Sequence, residues 1–246
     1  MEVMRAIRIS HLSLLLLLPL TLVRADEQAD LAFLQASAAL DRALIPALIA
    51  VRQGDASSVG VQLEKVTDSW ERYRSDQLAI LETAPGWSMT RGGMERRLEM
   101  AKRFVGNRDV SMARLVLDQM QTDLFRLRQS LNRETFVDRL VGFHEEMETI
   151  LAETETARKT NDTESVRTGI EALENSWKAI EDEGVDSEVY DLLWEEASKV
   201  KELIGAARAA ISQLAEAIDR GQVEDLGDLA ERVRNAYLDV FLYFGK

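Results

Sequence analysis

The chain has no cysteine and only three prolines among its 246 residues. Without thiols there can be no disulfide, no cysteine nucleophile, no Cys-ligated zinc and no lipoprotein anchor. Histidine is almost as scarce, with His11 and His144 alone. A Ser-His-Asp triad would have to use one of them, and no Gly-x-Ser-x-Gly elbow accompanies it. The di-iron bundle pattern needs two Glu-x-x-His motifs, and Val141 stands three residues before His144. Phosphate-binding glycine loops are missing as well. Positive charge is in deficit, with 30 Lys and Arg against 43 Asp and Glu and a net charge of −13. That balance repels phosphate backbones, so no nucleic-acid partner is expected.

What is present begins with a basic and then apolar N-terminus. Arg5 and Arg8 precede the run Leu12–Leu22, and Val23-Arg24-Ala25 offers medium and small residues at the −3 and −1 positions of a cleavage site. This layout predicts a secretory signal peptide over residues 1–25 and an extracytoplasmic, periplasmic-type location. The mature chain, 26–246, would then hold 27 basic and 42 acidic residues. No second run of this kind follows, so no integral membrane segment is expected in the mature chain.

Apolar residues elsewhere recur at helical spacing, and no stretch alternates like a strand. Residues 162–177, DTESVRTGIEALENSW, rhyme with 55–70, DASSVGVQLEKVTDSW. In each, an Asp is followed by apolar residues stepping 4, 4, 3 and 4: Val59, Leu63, Val66, Trp70 and Val166, Ile170, Leu173, Trp177. Asp109 starts a third copy (Ala113, Leu117, Met120, Leu124) and Gln222 a fourth (Leu226, Ala230, Val233, Tyr237). One apolar seam per helix is what this stepping produces. The preceding segments rhyme too, with Leu40, Leu44 and Ala47 matched by Met94, Leu98 and Ala101, then Met147, Leu151 and Thr154, then Ala207, Ile211 and Leu214. Gly54-Asp55, Asn107-Arg108-Asp109, Asn161-Asp162 and Gly221-Gln222 lie between paired segments. Gly or Asn can end one helix in the left-handed conformation, and Asp can cap the next.

These units predict an all-α fold of tandem antiparallel helix pairs, about eight helices, as two four-helix bundles or one elongated helical bundle. The bundles are expected over 26–131 and 132–246, joined near Ser130-Leu131-Asn132. Trp70 and Trp177 close their seams and are expected to serve packing. Met94 and Met147 fill equivalent seam slots as core filler.

The residues with most chemical promise are His144, Glu145 and Glu148. His144 and Glu148 share a helical face, with Glu145 on an adjoining stripe. An imidazole with one or two carboxylates could begin a site for iron or another transition metal, completed from another helix. His144 also fits the Leu140, His144, Met147, Leu151 seam, which offers a purely structural role as a polar layer.

Two family resemblances follow. ISQLAEAIDRGQVEDLGDLAERVRNAYLDVF, with Arg234-Asn235-Ala236-Tyr237, resembles the last helix pair of soluble haem-b four-helix-bundle cytochromes, and Met147-Glu148-Thr149 is similar to their first helix. That resemblance implies the bundle. Leu238 stands where the family's axial His would follow the Tyr, so haem is not expected. The phrase Ala236 to Phe241 and the Arg52-Gln53-Gly54-Asp55 turn look like the helical extracytoplasmic domain of oxidase-dependent iron permeases. Arg91-Gly92-Gly93-Met94-Glu95 departs from that family's Arg-Glu-Gly-x-Glu permeation motif. The likeness implies a non-enzymatic protein that binds metal or assists iron uptake, with an iron permease or another envelope protein as partner. A cofactor-free interaction module (scaffold, sensor input or chaperone) is the alternative.

Overall fold

The computed structural model describes the backbone of residues 18–246 and the side chains of 27–246 apart from Ser165. The expected signal segment, residues 1–25, lies outside the residues described in side-chain detail. Among the described residues the chain is helical without strands: α1 (Leu18–Arg52), α2 (Ala56–Asp76), α3 (Leu78–Leu81), α4 (Trp87–Gly106), α5 (Val110–Ser130), α6 (Phe136–Thr160), α7 (Glu164–Glu183), α8 (Trp194–Asp219) and α9 (Leu226–Tyr243). The all-α expectation holds. The addition to the expected eight is α3, a single turn whose Leu81 is fully buried under the α2–α4 linker.

Every position of the four repeated seams is buried, from Val59, Leu63, Val66 and Trp70 through Leu226, Ala230, Val233 and Tyr237. The matched positions of the preceding helices, Leu40 to Leu214, are buried too, including Thr154, which satisfies its hydroxyl on the Ile150 carbonyl at 2.8 Å. The seam is therefore the bundle core, as its period requires.

The turns explain the repeat's polar starts. In all four, the amide five residues on closes back to a helix carbonyl: Asp55 to Ala50, Asp109 to Phe104, Asp162 to Ala157 and Gln222 to Ala217. This is the Schellman closure, and it forces the residue before the cap into the left-handed region. Gly54, Asn161 and Gly221 occupy that place with φ of 73°, 56° and 66°. In the second turn it falls to Arg108, at φ 61°, and not to Asn107, at −86°. The register of the cap decides which residue bends, at a cost of about 1–2 kcal/mol for a side chain with a Cβ. Asp55 then accepts from the amides of Ser57 and Ser58, and Asp109 from that of Met112, each at 3.1 Å. The third and fourth copies differ: α7 starts from Thr163, with Asp162 one residue earlier accepting from the Glu164 amide, and α9 begins only after Asp225, so Gln222 belongs to the turn.

The helices close into two rings. Helix α1 packs on α2 and α5, and α4 on α2 and α5; in the second ring α6 packs on α7 and α9, and α8 on α7 and α9. The buried apolar residues nonetheless form one continuous cluster through both. Helix α1 is the main bridge, because its outer side lies against the start of α6, the 184–193 segment and the end of α9. Gln35 Nε2 donates to the Glu188 carbonyl at 3.1 Å, and Arg42 Nη2 to that of Tyr190 at 2.8 Å. The segment Glu27–Arg52 is long and apolar enough to cross a membrane, its most apolar 18-residue stretch having mean hydropathy 1.4, yet 56% of that stretch is buried inside the protein. Its apolarity supplies the core through Phe33, Leu40, Leu44, Ile45 and Leu48.

Candidate functional site

Helix α6 positions His144, Glu145 and Glu148, but they do not converge. The Glu148 carboxylate is held by the Arg234 guanidinium of α9 in a two-pronged pair, at 2.9 and 3.0 Å. The Arg234 hydrogen bonds hold the Glu148 carboxyl below the usual range against partial burial. Glu145 points outward and is exposed. His144 is half-buried, and its ring stacks on that of Tyr237, with centroids 5.3 Å apart and planes 15° from parallel. Burial lowers its pKa, and the charge of Arg52 lowers it further, while Glu148 and Asp118 pull the other way. The imidazole is therefore neutral at pH 7, with a buried Nδ1 that lacks a hydrogen-bond partner among the described residues. No group of three or more His, Asp or Glu side chains placed to hold a metal occurs among the described residues. The expected cluster is thus an ion pair, an exposed carboxylate and a stacked ring, because α9 brings a guanidinium to the place where another ligand was expected.

The tyrosine under His144 is itself fixed. Its hydroxyl donates to the Leu140 carbonyl at 3.1 Å, and Phe143 stacks beside it while meeting Trp177 edge-on at 4.8 Å. Trp177 Nε1 donates to the Ile204 carbonyl at 3.1 Å. Trp70 packs against Tyr73 and Trp87, with both centroids at 6.0 Å. Both repeated tryptophans are thus core residues.

The most unusual chemistry lies where the rings meet, at residues whose spacing leaves little trace of it. Arg128 of α5 is 1% exposed, Asp41 of α1 3% and Asp138 of α6 0%. Arg128 donates to both oxygens of Asp41, at 3.2 and 3.0 Å, and to Asp138 Oδ1 at 2.6 Å. Thr135, the N-cap of α6, donates its hydroxyl to the same carboxylates and forms a capping box with Asp138, whose Oδ2 accepts from the Thr135 amide at 2.8 Å. Tyr73 and Tyr190 complete the shell: Tyr73 accepts from Ser37 at 3.4 Å, and the Tyr190 hydroxyl accepts from the Val137 amide at 3.1 Å.

One cation here faces two carboxylates. Two buried negative charges against one positive leave an excess that low-dielectric surroundings penalise. Burial raises the Asp41 pKa to about 6, with Arg128 opposing and Asp138 adding to the rise. Asp138 is raised by burial in the same way. Burial works against the Arg128 charge, but Asp138 and Asp41 outweigh it and keep the guanidinium protonated. Tyr73 is pushed up to about 12 by burial. Burial thus favours protonation of these carboxylates over the ordinary acid range, and the cluster is neutral when one of the two is protonated. In sequence the one available signal was Thr135-x-x-Asp138, a capping pattern at the joint. Nothing in the spacing of Asp41 or Arg128 set them apart from surface charges.

A third feature is on the surface. Leu193 and Trp194, at the head of α8, are 73% and 82% exposed, whereas Trp70, Trp87 and Trp177 are 2%, 7% and 1% exposed. Glu188, Asp191, Glu195 and Glu196 flank them along the chain and are all exposed. Glu196 also accepts from the Leu193 amide at 2.8 Å, which fixes the first turn of the helix. No family model, no curated protein and no solved structure matches the chain, so its helices and side chains carry the functional reading by themselves.

Proposed function

We propose that this chain is a non-enzymatic, cofactor-free helical module that binds another protein through the apolar, acid-rimmed head of α8. The observation that carries the reading is Trp194, 82% exposed beside Leu193 in a protein that buries its other tryptophans. An exposed Trp-Leu pair is a poor surface for a lone protein and a good anchor for an interface. Its rim of Glu188, Asp191, Glu195 and Glu196 selects a partner whose apolar pocket is edged by Lys and Arg, and steers its approach. The N-terminal Leu12–Leu22 run supports placing that encounter outside the cytoplasm.

Assistance to iron uptake fits within this reading, with an iron permease as the partner, and it rests on the Ala236–Phe241 and Arg52–Asp55 resemblance. Binding of the metal itself has less support, since Arg234 already occupies Glu148. Affinity capture from a solubilised envelope fraction tests the proposal, using wild type and Trp194→Ala side by side. One envelope protein should be retained by wild type and lost, by at least tenfold, with the variant. Equal recovery of every protein by both would refute it.

A further inference from the structure

Helix α4 carries Gly92 and Gly93 in mid-helix, where each costs roughly 1 kcal/mol relative to Ala. Each stands four residues before an arginine. Helical side chains lean toward the N-terminus, so Arg96 and Arg97 reach back over the two glycines. A Cβ on Gly92 would lie 3.3 Å from Arg96 Nη1, and one on Gly93 2.8 Å from Arg97 Nη1. Methyls there would displace the far ends of both arginines, so their absence leaves room for the guanidinium groups close to the helix. Arg97 is then tied to Asp123 of α5 at 2.6 Å. Arg96 and Arg126, both exposed, form no ion pair among the described residues and face the same groove between α4 and α5, of about 370 Å³. Met89, 74% exposed, sits at its mouth.

The local charge is opposite to that of the whole chain. From Trp87 to Glu134 there are ten Lys and Arg and six Asp and Glu, in a protein of net charge −13. Within the groove, three guanidinium groups face the single Asp123 carboxylate. Planar guanidinium groups side by side match the oxygens of a phosphoryl group, which can accept from two of them at once.

We propose that the α4–α5 groove is a binding site for a phosphoryl group, held by Arg96 and Arg126 with Arg97 fixed beside them by Asp123. The glycine pair leaves room for those arginines beside the helix. The phosphoryl group can come from free phosphate or from the headgroup of an anionic phospholipid, whose acyl part would meet Met89. This site is independent of the Trp194 face.

The test uses the full chain with two probes: inorganic phosphate followed by calorimetry, and co-sedimentation with phosphatidylglycerol vesicles against phosphatidylcholine vesicles at constant ionic strength. Arg96→Gln/Arg126→Gln should weaken binding at least tenfold. Arg103→Gln/Arg108→Gln, with the same charge change at the far end of the hairpin, should leave it within twofold. Gly92→Ala/Gly93→Ala should weaken it while raising helix stability, a split that a purely structural role for the arginines would not give. Binding of phosphate and vesicles, or of phosphate alone, supports the site with free phosphate as a sufficient ligand. Binding of phosphatidylglycerol vesicles alone assigns the headgroup. No binding of either probe, or an equal loss in the far-end variant, overturns it.

Discussion

Asp41→Asn isolates the excess charge at the joint. The amide keeps the shape of the carboxylate and one oxygen for Arg128 Nη1 and Thr135, turns its NH2 toward Arg128 Nη2, and removes one of two negative charges around one guanidinium. Asp41 titrates near 6 in the fold against an ordinary value of 3.8. An acid whose pKa is raised by folding stabilises the native state most when protonated. Its contribution is full below the unfolded value and is lost as pH rises through about 6. A gap of about two units, at roughly 1.4 kcal/mol each, makes this loss about 3 kcal/mol, of which about 2 kcal/mol falls between pH 4.5 and 7. Carboxylates with lowered pKa, such as Glu148, act in the opposite sense at lower pH. His144, its pKa lowered from 6.5 by burial, adds stability as pH rises within this window in both proteins, so the readout is the difference between wild type and variant. Urea unfolding followed by tryptophan fluorescence and circular dichroism, from pH 4.5 to 7.5, measures that difference. The variant keeps the His144 and Asp138 contributions, so wild type should lose about 2 kcal/mol relative to it between pH 4.5 and 7. Parallel pH profiles for wild type and variant would refute the raised Asp41 pKa and mean that the fully ionised triad is favourable, whereas the size of a constant offset reports only the lost Arg128 acceptor.

Arg128→Met should be far more damaging, because it leaves Asp41 and Asp138 buried without a cation; a loss of about 3–5 kcal/mol is expected from denaturant midpoints, and it should shrink when Asp138→Asn is added. His144 should titrate below an ordinary imidazole in NMR, and Arg234→Gln should raise its pKa by removing a nearby cation and freeing the Glu148 charge. An unmoved His144 titration in that variant would show that burial and Arg52 alone set its value.

The fold was largely legible because a period of 3.6 leaves its trace in residue type: the 4-4-3-4 seams could be read directly, and all sixteen positions after the polar starts are buried. The turns were legible in kind, since Asp caps and left-handed Gly or Asn are local features. Arg108 was misplaced by one position because the six-residue closure, not residue preference, fixes the bend. The site was far less legible. His144 and Glu148 stand four apart on α6, which suggested a ligand pair, but Arg234 comes from 86 residues away and converts Glu148 to an ion pair. Asp41, Arg128 and Asp138 gain their meaning only when α1, α5 and α6 meet. Charged residues distant in sequence carry no mark of burial, because burial belongs to the tertiary arrangement.

The placement of α1 has a consequence for the order in which the molecule can be completed. Its Asp41 pairs with Arg128, 87 residues downstream, Arg42 reaches the Tyr190 carbonyl 148 residues away, and Gln35 that of Glu188 at 153. The second ring, by contrast, closes among its own neighbours from α6 to α9. During synthesis, therefore, α1 emerges well before the segments that finally cover it. Until the 184–193 segment arrives, its outer side stays open to any chaperone present, or to a neighbouring copy's equivalent segment.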